Sequence, residues 1–116
     1  MRYYGYAKCG TARKALKWLE AKQIKLDAIL DITQTPPRVE ELEKALAAGY
    51  TLKQLFNTSG VLYRQMHMKD KLPGLSQEEA LILLSQNGKL VKRPFMIEKN
   101  TVTVGFNESH FEKCWL

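Results

Sequence analysis

Residues 2–32 read RYYGYAKCGTARKALKWLEAKQIKLDAILDI, and this stretch decides the fold. Residues 2–6 are short, tyrosine-rich and strand-like. From Gly10 or Thr11 onward Ala12, Ala15, Leu16 and Leu19 recur at the i, i+3, i+4, i+7 spacing of one helical face. Leu26 to Ile32 is a second apolar strand with Asp27 and Asp31 near its ends. Strand, helix and strand in this order predict a β-α-β unit whose strands run parallel, joined by a right-handed crossover.

Downstream of this unit the punctuation changes. Thr35-Pro36-Pro37 is a turn, with Thr35 expected to cap a helix and Pro36 to fill its first position. That helix carries Val39, Leu42, Ala45 and Leu46 and stops at Gly49. Thr51 caps a short helix through Phe56, and Val61 to about Met68 is a further helical stretch before Pro73-Gly74. Ser76-Gln77-Glu78-Glu79 is a capping box opening an apolar helix that ends before Gly88. Pro94–Glu98 and Thr101–Gly105 flank Lys99-Asn100 as an antiparallel hairpin, and Asn107 caps a last helix, Glu108 to about Trp115. The expected architecture is an α/β, thioredoxin-like fold with a mixed sheet and a helical insertion between its two halves. All 116 residues then form one domain, with the core at about 1–34 and 88–116 and the insertion at about 35–87.

Composition narrows the function. Hydrophobic residues make up 45% and charged residues 26%, the balance of a soluble domain with its own core. No run approaches the roughly 18 apolar residues of a membrane span, and Met1–Tyr6 lacks the apolar segment of a signal peptide, so a cytoplasmic location without membrane contact is expected. The net charge of +6 favours anionic partners: small oxyanions, glutathione carboxylates, an acidic protein face or nucleic acid. The lysines are dispersed, without a basic run or an aromatic-basic motif, which argues against direct nucleic-acid binding. His67 and His110 stand alone, and no Cys, His and carboxylate pattern has metal-ligand spacing, so no metal site is expected.

The chemistry points to Cys9. It stands between strand and helix, where the free amides of a first turn and the helix dipole favour negative charge. A thiolate is the reactive form of cysteine. Lys8 and Arg13 add positive charge, and Gly10, Thr11, Ala12 and Arg13 supply a loop able to cradle an oxyanion or a second sulfur. The competing reading is an inert cysteine at a strand end. Ala12 occupies the fourth place of a would-be Cys-x-x-Cys, so no local thiol can resolve a mixed disulfide. That role falls to an external thiol, to Cys114 or to nothing, and the place of Cys114 on an amphipathic helix beside Trp115 suits packing better. Arg93-Pro94 is the second feature. Arg93 aimed at Cys9 is a bidentate donor for arsenate, a carboxylate or a sulfinate; aimed at solvent, it is an ordinary strand-entry arginine. For the bond to Pro94 the trans form is the ordinary one, although thioredoxin folds often carry a cis proline beside their cysteine.

Together Cys9-Gly10-Thr11-Ala12-Arg13-Lys14-Ala15, Trp18-Leu19-Glu20, Pro36-Pro37, Glu40-Glu41-Leu42, Leu55-Phe56-Asn57-Thr58, Lys92-Arg93-Pro94 and Val104-Gly105-Phe106 resemble the arsenate reductase (ArsC) family over nearly the whole chain, with the short Spx/MgsR-type members most similar. The resemblance implies a thioredoxin-like domain with a helical insertion. It also implies Cys9 as nucleophile, Arg93 on the oxyanion and a cis Pro94. The implied activity is thiol oxidoreduction through one cysteine, with no bound cofactor, a small thiol or oxyanion as substrate and glutathione or glutaredoxin as electron donor. The alternative it implies is an Spx/MgsR-like regulator that binds RNA polymerase without turnover. The chain departs from arsenate reductases at three places: Gly5-Tyr6-Ala7-Lys8 lacks their histidine, and neither Leu55–Gly60 nor the hairpin near Thr103 has their arginine. Arg93 is the one pocket arginine of the three that is present.

Overall fold

The computed structural model describes Met1–Leu116. Strand β1 (Arg2–Gly5) is followed by helix α1 (Gly10–Ala21) and strand β2 (Ala28–Asp31). Five helices come next: α2 (Val39–Ala47), α3 (Leu52–Leu55), α4 (Val61–Gln65), α5 (Met68–Lys71) and α6 (Gln77–Gln86). Strands β3 (Phe95–Glu98) and β4 (Thr101–Val104) and helix α7 (Glu108–Trp115) complete the chain. The sheet order is β2-β1-β3-β4, with β1 parallel to β2 and antiparallel to β3. Ordered in this way, the mixed sheet is that of an α/β thioredoxin-like fold.

Alternation along the strands divides the core in two. Tyr3 and Met96, paired across β1 and β3, join Ala15, Trp18, Leu19, Phe111 and Trp115 under α1 and α7. Tyr4, Phe95, Ile97 and Val102 face the other way, onto Leu42, Ala45, Leu55, Phe56 and Leu84. The helices between β2 and β3 therefore cover one face of the sheet, and α1 with α7 covers the other. A period of two within each strand produces this split, because successive side chains point to opposite faces.

The capping residues explain most helix starts. Thr51, Ser76 and Asn107 accept the N–H groups of Gln54, Glu79 and His110. The start of α2 differs from the expectation that Thr35 caps it and Pro36 opens it: the cap is Arg38, and Val39 is the first helical residue. Proline disfavours helical backbone in the residue before it, so two consecutive prolines hold the chain extended up to position 37. Thr35 is instead spent on β2, donating its N–H to the Asp31 carbonyl at 2.8 Å. Glu41 then reaches back to accept the Arg38 N–H at 3.0 Å. The expected Val61–Met68 helix is also divided: His67 has a φ of 53°, and α4 ends before it while α5 begins after it.

Two contacts fix the segment that leads into β3. Asn57 N–H donates to the Leu90 carbonyl at 2.7 Å and Lys92 N–H to the Leu55 carbonyl at 2.8 Å, tying the insertion to the approach to Arg93. Gly88 lies so close to Ile32 that a Cβ there would overlap the Ile32 carbonyl. No helix is long and apolar enough to cross a membrane.

Candidate functional site

Cys9 is the N-cap of α1, with φ −95° and ψ 118°, and is half-buried. Its N–H donates to the Tyr6 carbonyl at 3.0 Å, and its carbonyl accepts the Arg13 N–H at 3.0 Å. The turn over Tyr6–Cys9 and the first turn of α1 thus share one residue. The N–H groups of Gly10, Thr11 and Ala12 have no earlier helical carbonyl to bond, and α1 carries no acidic residue in its first turn. Ala12 is buried against the sheet, while Gly10, Thr11 and Arg13 are exposed. Open space surrounds the Gly10 Cα, so no steric demand selects glycine there.

Register brings Arg93 to the same end of the sheet. Tyr4 pairs with Phe95, so Arg93 and Pro94 stand level with Gly5 and Tyr6 where the chain turns toward Cys9. The Arg93–Pro94 peptide bond is cis, and the Pro94 carbonyl accepts the Gly105 N–H at 2.9 Å. The Arg93 guanidinium carbon lies 5.1 Å from the centroid of the Tyr6 ring. Its Nε and Nη1 are buried and have no hydrogen-bond partner. Only one other buried side-chain nitrogen is unpartnered, the indole of Trp18. Buried donors are nearly always satisfied, because an unmade hydrogen bond to such a group costs about 1–3 kcal/mol. Arg93 is held by an aromatic face, with two of its three guanidinium nitrogens buried and without a hydrogen-bond partner.

Three residues that sequence reasoning passed over also shape the site. The Tyr3 ring lies across Gly5, where a Cβ would collide with it, and its hydroxyl donates to the Ala12 carbonyl at 2.6 Å. Burial, with a smaller contribution from neighbouring Cys9, pushes the Tyr3 pKa well above the usual tyrosine value, so the hydroxyl stays neutral. Tyr6 supplies the face on which Arg93 rests. Asp31, at the end of β2, is held below the usual carboxylate range mainly by the Thr33 hydroxyl and N–H, with a smaller contribution from Arg93. Strand alternation carried the signal for Tyr3, Gly5 and Asp31, because all three fall on one face; nothing local marked Tyr6.

Cys114 is not part of this constellation. It is half-buried on α7, its sulfur lies 3.7 Å from His110 Nε2, and burial pushes its thiol pKa up. It lines a groove with Tyr50, Val104 and His110, whereas the groove beside the Cys9 loop is lined by Tyr3, Tyr6 and residues of α1 and β2. No three His, Cys, Asp or Glu side chains are grouped to hold a metal ion.

A thioredoxin-like sheet with a cysteine capping the first helix and a cis proline entering β3 defines a class of thiol-bearing α/β domains. Within that class the chain belongs to the ArsC family, whose model matches residues 4–114. It is 47% identical over 117 residues to the uncharacterized protein YusI of Bacillus subtilis, covering 99% of this chain and 98% of that one. The crystal structure of a possible arsenate reductase from Streptococcus mutans UA159 superposes with a TM-score of 0.86 at 35% identity, covering 96% of each chain. The global transcriptional regulator Spx of Enterococcus faecalis is 29% identical over 112 residues, covering 95% of this chain and 82% of that one.

Proposed function

We propose that the chain is a thiol oxidoreductase working through the single cysteine Cys9, with Arg93 receiving the anionic part of its substrate. The observation that carries this reading is the pair of buried, unpartnered guanidinium nitrogens of Arg93, Nε and Nη1, held on Tyr6 beside the Cys9 loop. A guanidinium desolvated without a partner is costly in a resting protein, and an arriving carboxylate or oxyanion satisfies it with charge-assisted hydrogen bonds.

The chemistry is thiol–disulfide exchange. The Cys9 thiolate attacks one sulfur of a disulfide RSSR, the S–S bond breaks, and RS⁻ leaves as Cys9–S–SR forms. A second thiolate R′S⁻, of the glutathione or glutaredoxin kind, then attacks the Cys9-bound SR sulfur; R′S–SR forms as the S–S bond to Cys9 breaks, and Cys9 leaves as thiolate. First-turn amides of α1 favour the negative charge on Cys9 in both steps. With Ala12 in place of a second cysteine, the resolving thiol comes from another molecule.

Arsenate reduction is a narrower form of this reading, supported by the S. mutans relative and weakened by the lack of an arginine in Leu55–Gly60 and near Thr103. The test is turnover of bis(2-hydroxyethyl) disulfide with reduced glutathione, and of arsenate with glutathione and glutaredoxin, by the wild type and Cys9→Ser. Disulfide turnover lost in Cys9→Ser is the expected result. Turnover equal in both proteins overturns the reading and leaves the regulatory one, in which binding to RNA polymerase replaces catalysis.

A further inference from the structure

Beside the Cys9 loop runs a groove of about 300 Å³ between α1 and the edge strand β2. Its origin is topological. β2 is the outermost strand, and its register sets Ile29 beside Tyr3 and Asp31 beside Gly5, on the face that α1 covers. The core under α1 is built from β1, β3 and α7 and does not extend over β2. Ile29 is consequently 62% exposed although it sits in the sheet. Tyr3, Tyr6, Leu16 and Ile29 give the groove an apolar lining, and Ala7 and Ala12, on either side of Cys9 in the chain, line it too.

The charged residues of the lining have opposite signs. Arg13 lines the groove from α1 and has no ion-pair partner. Asp31 lines it from β2, and its bonds to Thr33 at 2.9 and 2.6 Å both use Oδ1, with the Gln34 N–H and the Arg93 charge also favouring the carboxylate. The volume lies at the lower end of the range for small-molecule sites and suits a molecule of amino-acid size.

We infer that this groove, apart from the Arg93 position, receives the half of the disulfide that joins Cys9, and that it selects zwitterionic, amino-acid-like thiols: an apolar stem against Tyr3, Leu16 and Ile29, a carboxylate at Arg13 and an ammonium at Asp31, while the anionic end of the leaving half falls to Arg93. The inference rests on the thiol-exchange reading above and names the class of substrate for it. The reaction is the same exchange: Cys9–S⁻ and RSSR give Cys9–S–SR and RS⁻, with no further oxidant.

The experiment measures the rate of Cys9 mixed-disulfide formation, by intact mass against time, with four probes: homocystine (zwitterionic), dithiodipropionate (anionic), cystamine (cationic) and bis(2-hydroxyethyl) disulfide (neutral). Homocystine is expected to react about tenfold faster than the neutral probe, equivalent to about 1.4 kcal/mol. Arg13→Gln should bring homocystine toward cystamine, and Asp31→Asn should bring it toward dithiodipropionate. Ile29→Glu, at an exposed position, should reduce the preference without unfolding the chain. Equal rates for all four probes, or a homocystine preference unchanged in both charge variants, overturn the groove assignment while leaving Cys9 as the thiol. No adduct on Cys9 with any probe overturns the thiol-exchange reading itself.

Discussion

The Arg93 guanidinium stands 5.1 Å from the Tyr6 ring with Nε and Nη1 buried and unbonded. Arginine stacks readily on aromatic faces, and a desolvated cation–π contact is worth about 2 kcal/mol. That contact offsets part of the desolvation cost but leaves the N–H groups open. Function and stability should therefore separate at this position. Arg93→Met is expected to keep or raise the melting temperature, by a few degrees for about 1 kcal/mol. The same substitution should slow Cys9 adduct formation with an anionic disulfide about tenfold and leave the neutral probe less affected. Thermal denaturation and the two rates check this together.

Tyr6 supports Arg93 with its ring face, and on the proposed reading its substitutions should separate ring from hydroxyl. Tyr6→Phe retains the aromatic face and is expected to keep the anionic-over-neutral rate ratio. Tyr6→Leu removes the face, and the ratio should fall severalfold. The readout is the ratio, because a general loss of packing would slow both probes alike.

At the other end of β1, Glu41 is the buried charge on which the sheet and α2 meet. It pairs with Arg2, accepts the Tyr4 hydroxyl at 2.9 Å and the Arg38 N–H at 3.0 Å, and is 3% exposed. Glu41→Ala should cost about 3 kcal/mol, since it leaves Tyr4 and Arg2 without their acceptor. Burial pushes the Glu41 carboxyl up, but the Arg38 N–H, the Tyr4 hydroxyl and Arg2 outweigh it and hold it below its ordinary value of 4.5. A lowered folded-state pKa means stability present above about pH 4.5 and lost as pH falls through the folded value. Tyr4 has the opposite sign. Burial, with Glu41, lifts it to about 12, so its contribution is present below pH 10 and fades as pH rises toward 12. Denaturant midpoints across pH for the wild type and Glu41→Gln check both limbs, and the acid limb should flatten in the variant.

Two glycines should respond oppositely to alanine. At Gly10 nothing lies within 4 Å of an added Cβ, and the position is helical. Gly10→Ala is expected to stabilise by roughly 0.5–1 kcal/mol. At Gly88 an added Cβ would overlap the Ile32 carbonyl, a backbone atom that cannot swing aside. Gly88→Ala should destabilise by about 1–3 kcal/mol, read as a lower denaturant midpoint.

How far the fold was legible follows from the range of the forces involved. The β1-α1-β2 unit and the caps Thr51, Ser76 and Asn107 are local patterns, and the sequence carried them directly. The start of α2 was misplaced because each proline restrains the residue before it, a constraint that outranked the capping potential of Thr35. The break at His67 left no signal, since a left-handed non-glycine residue is imposed by packing. Sheet order was also beyond local reading: β3 pairs with β4 as a local hairpin, but it pairs with β1 through contacts more than 90 residues apart. The site divides similarly. Cys9 at a helix start and the shared face of Tyr3 and Gly5 were readable, whereas the stacking of Arg93 on Tyr6 exists only once β3 has paired with β1.

The most direct test is peptide mapping by mass spectrometry after treatment with oxidised glutathione. The expected product is one glutathione adduct on Cys9, formed equally in Cys114→Ser and released by added thiol. An adduct confined to Cys114, or none on either cysteine, contradicts the assignment of Cys9 as the working thiol.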